Sequence, residues 1–287
     1  MQQLFQHELV QNAFLAGVVV AIVTAIVGYF VVLRAQAFAS HALSHIGFAG
    51  ATGAALLGVS PLLGMFAFTL AAAFGMGTLG ERIRGRDIEI GMVLSFALGL
   101  GVLFLSLYTQ HATETVNILF GSILSVTRND VLITLIGSLV TLLLLALIYR
   151  PLLFASIDPV VAQARGVPVR LLSIVFLFLL AITISEAVQI VGVLLVFALL
   201  VAPPAAAVRL VHQPLAAIGL IVLLNLLFTL GGLLLALIGH WPVSFYIAAL
   251  SALSYFVAMR LGRSGAPRRY QLLPHPNRER LTTPARP

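Results

Sequence analysis

The 287-residue chain contains no cysteine and no lysine, and only 9% of its residues are charged. Without cysteine, neither a disulfide framework nor thiolate ligation of a metal is open to it, and its redox compartment leaves no mark on the sequence. The scarcity of charge excludes more, since a soluble globular domain carries about 25% charged residues. The first dozen residues, MQQLFQHELVQN, hold no Lys or Arg, and no small-residue cleavage site follows the first apolar run. Both features predict that this run is retained rather than removed as a signal peptide. No glycine-rich nucleotide loop, soluble domain or long internal repeat is visible, so ATP hydrolysis by this chain alone is not expected.

What is present is apolar: 61% of residues are hydrophobic and the mean hydropathy is +1.11. Apolar runs of the ~17–25 residues needed to cross ~30 Å of hydrocarbon recur from near residue 10 to near residue 260. The ~10-residue alternating segments of an outer-membrane barrel are missing. The predicted fold is therefore all-α, a polytopic transmembrane helix bundle. A net charge of +7 could point to nucleic acid, but the arginines that make it sit in short loops between apolar runs and in the tail. That is the positive-inside pattern, and it points to membrane lipid instead.

The predicted spans are 13–33, 35–59, 61–79, 90–108, 131–149, two short ones within 171–208, 215–238 and 242–259. With the amino terminus outside, Arg34, the 81–89 loop, the 150–170 loop, Arg209 and the tail fall on the cytoplasmic side, and only Arg128 falls outside. The 171–208 tract is the weak link, read as two spans turning near Glu186. The sixteen residues from Arg170 to Glu186 rise only about 24 Å, so eight spans with one re-entrant element are the alternative. The apolar segment 116–126 is too short to span and reads as re-entrant or interfacial. Residues 1–260 form the membrane domain, and 261–287 a basic, proline-containing tail expected to be disordered.

Three features could carry chemistry. His41 and His45, four residues apart in RAQAFASHALSHIGFAG (34–50), share one helix face among small residues that let another helix approach closely. Neutral imidazoles one turn apart can supply two ligands to one ion. Spacing leaves two readings open: a metal path, or histidines that only hydrogen-bond neighbouring helices. A zinc-protease HExxH motif is excluded, because position 42 is alanine. Second, SIDPVVAQARGVPVR holds Asp158 as a helix N-cap, Pro159 as first helical residue, Gly166 after the helix end and Pro168 as a block. It predicts a helix over about 159–165, either an interfacial linker or a docking element for a cytoplasmic partner. Third are isolated polar groups, His111, Glu114 and Glu186, expected at the outer mouth, with Glu186 on an extracytoplasmic turn.

With LFGSIL (119–124), the DPxxAxxxGV pattern at 158–167 and IVGVLLVFALLVAPPAAA (190–207), these stretches make the chain resemble the membrane permease of zinc/manganese-type ABC importers. The resemblance implies a bacterial inner-membrane complex of two permease copies, cytoplasmic ATPase subunits and an extracytoplasmic metal-binding protein, with no permanently bound cofactor. It implies that Asp158, Pro159, Ala162, Gly166 and Val167 belong to a coupling helix that engages the ATPase. His45 matches the family's path histidine, and His41 stands where the family usually has aspartate. Exchanging a hard carboxylate for imidazole should tilt the cargo from manganese toward zinc. The competing expectations are a permease for manganese, iron or a metal chelate such as a siderophore, and, from another class, an intramembrane metal-dependent hydrolase. The hydrolase would need a third ligand and an acid or base near the histidines.

Overall fold

The computed structural model describes residues 8–78, 86–107, 126–239 and 241–261. Among the described residues the chain forms ten helices and no strand: α1 (Glu8–Leu33), α2 (Ala37–Leu56), α3 (Pro61–Thr78), α4 (Arg86–Leu107), α5 (Arg128–Ile157), the short α6 (Pro159–Ala164), α7 (Val169–Val191), α8 (Val193–Leu210), α9 (Pro214–Ile238) and α10 (Val243–Leu261). Eight are both long and apolar enough to cross a membrane. The remaining long helix is α2, which has 20 residues but is diluted by Ser, His and Gly. It is enclosed by α3, α4, α7 and α8, which is where a polar helix belongs in hydrocarbon.

Two predicted boundaries move. The 171–208 tract does not turn near Glu186; α7 runs through it, and the chain breaks at Gly192, whose φ of 85° and ψ of 161° lie in a region only glycine occupies without strain. Ser185, Glu186 and Gln189 suggested a turn because they are polar, but each finds a partner inside the bundle. Backbone permissiveness, not polarity, decides where the helix ends. Likewise α5 does not stop at Tyr149 but carries Arg150 and Pro151 on to Ile157, so the second charged loop is shorter than predicted. The loop at 79–85, most of the 109–126 stretch with His111 and Glu114, and the tail beyond Leu261 lie outside the described residues.

Side-chain ties identify the two ends of the bundle. At one end, Asn12 Nδ2 donates to the carbonyl of Val126 (3.2 Å), and Gln189 Nε2 donates to Asp130 (3.1 Å), joining the starts of α1 and α5 to the end of α7. At the other, Arg34 donates to Ser156 and Ser173, and Arg170 donates to the carbonyl of Thr78 (3.3 Å). Arg34 and Arg170 thus share an end and Arg128 stands at the opposite one, which is the partition the positive-inside reading requires.

The centre is built on α1 and α7, where Phe30 and Phe176 are fully buried. Asn225 of α9 donates to the carbonyls of Ala21 (3.3 Å) and Leu199 (3.3 Å) and to Thr24 Oγ1 (3.2 Å), stitching α1 and α8 to α9. Many large apolar side chains of α5, among them Leu132, Ile136, Leu139 and Leu147, face outward instead, while Leu145 and Leu152 are buried. The tightest crossing is α2 on α3, where a methyl on Gly50 would run into the Gly64 carbonyl and one on Gly64 into that of Gly50. Replacing Gly50 with Leu should therefore cost about 1–3 kcal/mol from overpacking. Gly219→Ala, which meets open space, should leave stability unchanged or slightly raise it; thermal unfolding in detergent checks both.

Candidate functional site

The chain leaves α1 through a tight turn in which Ala35 takes a left-handed φ of 54° and the N–H of Gln36 returns to the carbonyl of Val31 at 2.8 Å. This reversal launches α2. Ser40 and Ser44, both fully buried, donate back to the carbonyls of Ala37 (2.7 Å) and Ser40 (3.0 Å). The serines are thereby satisfied within their own helix, which leaves the histidines as the polar groups of this face.

His41 and His45 are both half-buried, with ring centroids 4.6 Å apart and planes at 81°. The structure brings the predicted pair together as the i, i+4 spacing requires. Phe197 of α8 packs edge-on against His41 at 4.8 Å. Nothing in the apolar run VLLVFALL marks this residue; only the packing of α8 on α2 reveals it. His45 Nδ1 is buried and has no hydrogen-bond partner among the described residues. An orphaned buried imidazole nitrogen is a costly arrangement unless something else engages it. No group of three or more His, Cys, Asp or Glu that could hold an ion occurs among the described residues. One chain thus brings two imidazoles together and, among the described residues, no third side chain of that kind beside them.

Glu186 is not on a turn. It lies within α7, only 3% exposed, and its Oε2 accepts a hydrogen bond from Ser138 of α5 at 3.4 Å. Its carboxyl fills the space over Gly137, which has no side chain to compete for it. One turn away on each side, Thr134 and Thr141 share this buried stripe of α5, with hydroxyls that find no partner among the described residues. On the neighbouring side of α7, Ser185 meets Thr69 of α3 at 2.8 Å between oxygens. The carboxyl and the histidine pair therefore stand in different interfaces.

The 158–168 segment forms the capped helix its sequence predicts. Asp158 Oδ1 accepts the N–H of Val161 at 3.1 Å, Pro159 opens α6, and Gly166 ends it with φ of 81° while the Val167 N–H returns to the carbonyl of Ala162 (3.0 Å). Ala162 is fully buried, whereas Val160 is 75% exposed. A two-turn helix fixed at both ends, presenting valine outward from the arginine-bearing end of the bundle, is suited to fit into another protein.

The sequence matches the ABC 3 transport family over residues 6–262. The chain belongs to that family. Relatives within reach of the ABC 3 membrane subunit include the manganese transport system membrane protein MntC of Listeria monocytogenes, 33% identical over 214 residues that cover 74% of this chain and 76% of that protein. The high-affinity zinc uptake system membrane protein ZnuB of Haemophilus influenzae is 30% identical over 230 residues, 80% of this chain and 88% of that protein. PsaBC from Streptococcus pneumoniae, solved in complex with Fab, superimposes with a TM-score of 0.82 at 27% identity, covering 94% of this chain and 98% of that one. The chain is thus a multi-pass ABC transport subunit.

Because the Glu186 carboxyl occupies the place a methyl would take at Gly137, Gly137→Ala should destabilise the bundle, and adding Glu186→Ala should recover most of that loss. A coupling energy of about 1 kcal/mol or more between the two sites is expected from a double-mutant cycle of unfolding in detergent.

Proposed function

We propose that this ABC 3 subunit is the membrane path of an ATP-driven divalent-metal importer in a bacterial inner membrane, with zinc as its cargo. The observation that carries the reading is the pair of half-buried imidazoles at 4.6 Å, one with an orphaned nitrogen, and with no third metal-binding side chain beside them among the described residues. A closed tetrahedral shell would trap an ion, whereas two ligands per chain bind and release. A second copy of the permease would bring another pair and make a transient four-histidine site. The relatives named for manganese and zinc transport support a divalent ion as cargo, and neutral imidazole at both positions favours zinc over the harder manganese.

In this reading His41 and His45 receive an ion handed over by an extracytoplasmic binding protein. Cytoplasmic ATPase subunits dock on α6, held in shape by Asp158, Pro159, Ala162, Gly166 and Val167. Nucleotide binding moves α6, and the bundles rock as bodies to change which side the histidines face. The permease itself makes and breaks no covalent bond. Manganese is the second reading, supported by the 33% identity to a manganese transport protein over most of both chains.

The test is uptake of radioactive zinc and manganese into proteoliposomes holding the assembled complex. His45→Ala should lower uptake at least about tenfold, since even outer-shell partners of metal ligands are worth 10–100-fold, while the complex still assembles; unchanged uptake refutes the path. His41→Asp should raise manganese uptake relative to zinc, and an unaltered ratio refutes the selectivity assignment. Asp158→Ala removes a cap worth about 1 kcal/mol and should reduce ATPase recovery with the permease in a pulldown.

A further inference from the structure

Arg34 joins the two functional elements. It sits on the turn between α1 and α2, and its guanidinium reaches away from that turn to both sides of α6. Nη1 donates to Ser156 Oγ at 3.2 Å, two residues before the Asp158 cap. Nη2 donates to Ser173 Oγ in the first turns of α7, just beyond the Gly166–Pro168 exit from α6. Its Cζ lies 5.7 Å from the Phe176 ring centre, so the plane is held by an aromatic face as well as by two hydroxyls. Three residues after Arg34, α2 begins, and one turn further is His41.

The packing of α6 makes this tie consequential. Its helix neighbours are α5 and α7, the elements on which it is mounted, so a displacement of α6 enters the bundle through the end of α5 and the start of α7. Arg34 is bonded to both. A guanidinium presents its donors in a rigid planar fork and can hold two acceptors at once in fixed relation, which a lysine ammonium on its flexible stem does not do. On the α2 side the connection is equally short, since the Gln36 N–H is bonded to the Val31 carbonyl and the turn has no slack.

We propose that Arg34 is a positioning residue that straps the α6 mount to the histidine helix, so that α2 follows α6 when the ATPases move it. The inference rests on the importer reading above. The strap sets how tightly nucleotide hydrolysis is tied to transport.

The experiment uses the complete complex in proteoliposomes, with zinc and manganese each supplied through the binding protein. Arg34→Gln should lower the number of ions moved per ATP hydrolysed several-fold while ATP hydrolysis continues, and Arg34→Lys should recover part of the loss. A ratio equal to wild type, or a parallel fall of transport and hydrolysis with the ratio kept, overturns the strap. Should Arg34→Gln fail to assemble, the Ser156→Ala, Ser173→Ala double variant reads the same ratio with the arginine in place. A second measurement needs no metal: spin labels at Leu57→Cys, the residue capping the end of α2, and Gln163→Cys on α6 are unique in a chain without native cysteine. In complexes carrying a single doubly labelled permease copy, wild type should keep one narrow distance on adding ATP, and Arg34→Gln should spread or shift it; identical distributions overturn the inference. Wild-type complex that moves neither ion with ATP would defeat the importer reading, and the spin-label comparison would still decide the strap.

Discussion

In hydrocarbon no water is available to satisfy a polar group, so a polar side chain gains by finding its partner inside the protein. The architecture follows from that constraint. Asn225 stitches three helices together because its amide has nowhere else to go, Thr69 and Ser185 meet across α3 and α7, and Glu186 is folded over a glycine beside Ser138. The apolar side chains that would fill the core of a soluble protein are free to face outward, and on α5 they do. Close approach of backbones at small residues then holds α2 against α3, since between helices in lipid there is little hydrophobic gain to be had.

The same constraint explains what could be read from the sequence. Nine long helices, their order and the placing of Arg34 and Arg170 at one end with Arg128 at the other were legible because hydrophobic length and charge are local properties. The α6 helix was legible to within a residue, because Asp158, Pro159 and Gly166 each act on neighbouring backbone. Glu186 was misplaced for a specific reason: a carboxylate in an apolar tract looks like a turn when its partners, Ser138 and the bare face of Gly137, are forty-eight and forty-nine residues away. Gly192, an unremarked glycine in IVGVLLV, had the stronger claim to the turn. The contact of Phe197 with His41 was not legible at all, since it depends on how two helices pack.

For the histidines, geometry narrows the alternatives. A hydrolase would require a third ligand or an acid within reach, and the buried glutamate stands in the α5–α7 interface while His41 packs against Phe197 of α8. Two nitrogens with one left unsatisfied make a poor structural site and a poor catalytic one. Under the reading proposed above, they mark a place where an ion pauses. The membership in the ABC 3 family sets the class of machine, and under that same proposed reading the imidazole at position 41 is where this chain's own chemistry bears on its cargo.

The contacts around the histidines also close into a ring. From His41 the path runs across the Phe197 ring into α8, back through Gly192 into α7, along α7 to Ser173, across to Arg34, and through Ala35 and Gln36 into α2 and His41 again. A closed linkage of stiff rods can change shape only at its joints. The two backbone joints here are Gly192 and the Ala35 turn, and both carry positive φ, 85° and 54°. The Ala35 turn is an alanine held against its preference and closed by the Gln36–Val31 bond, so torsion at the histidines is resolved into rotation at Gly192, the joint free to adopt its conformation.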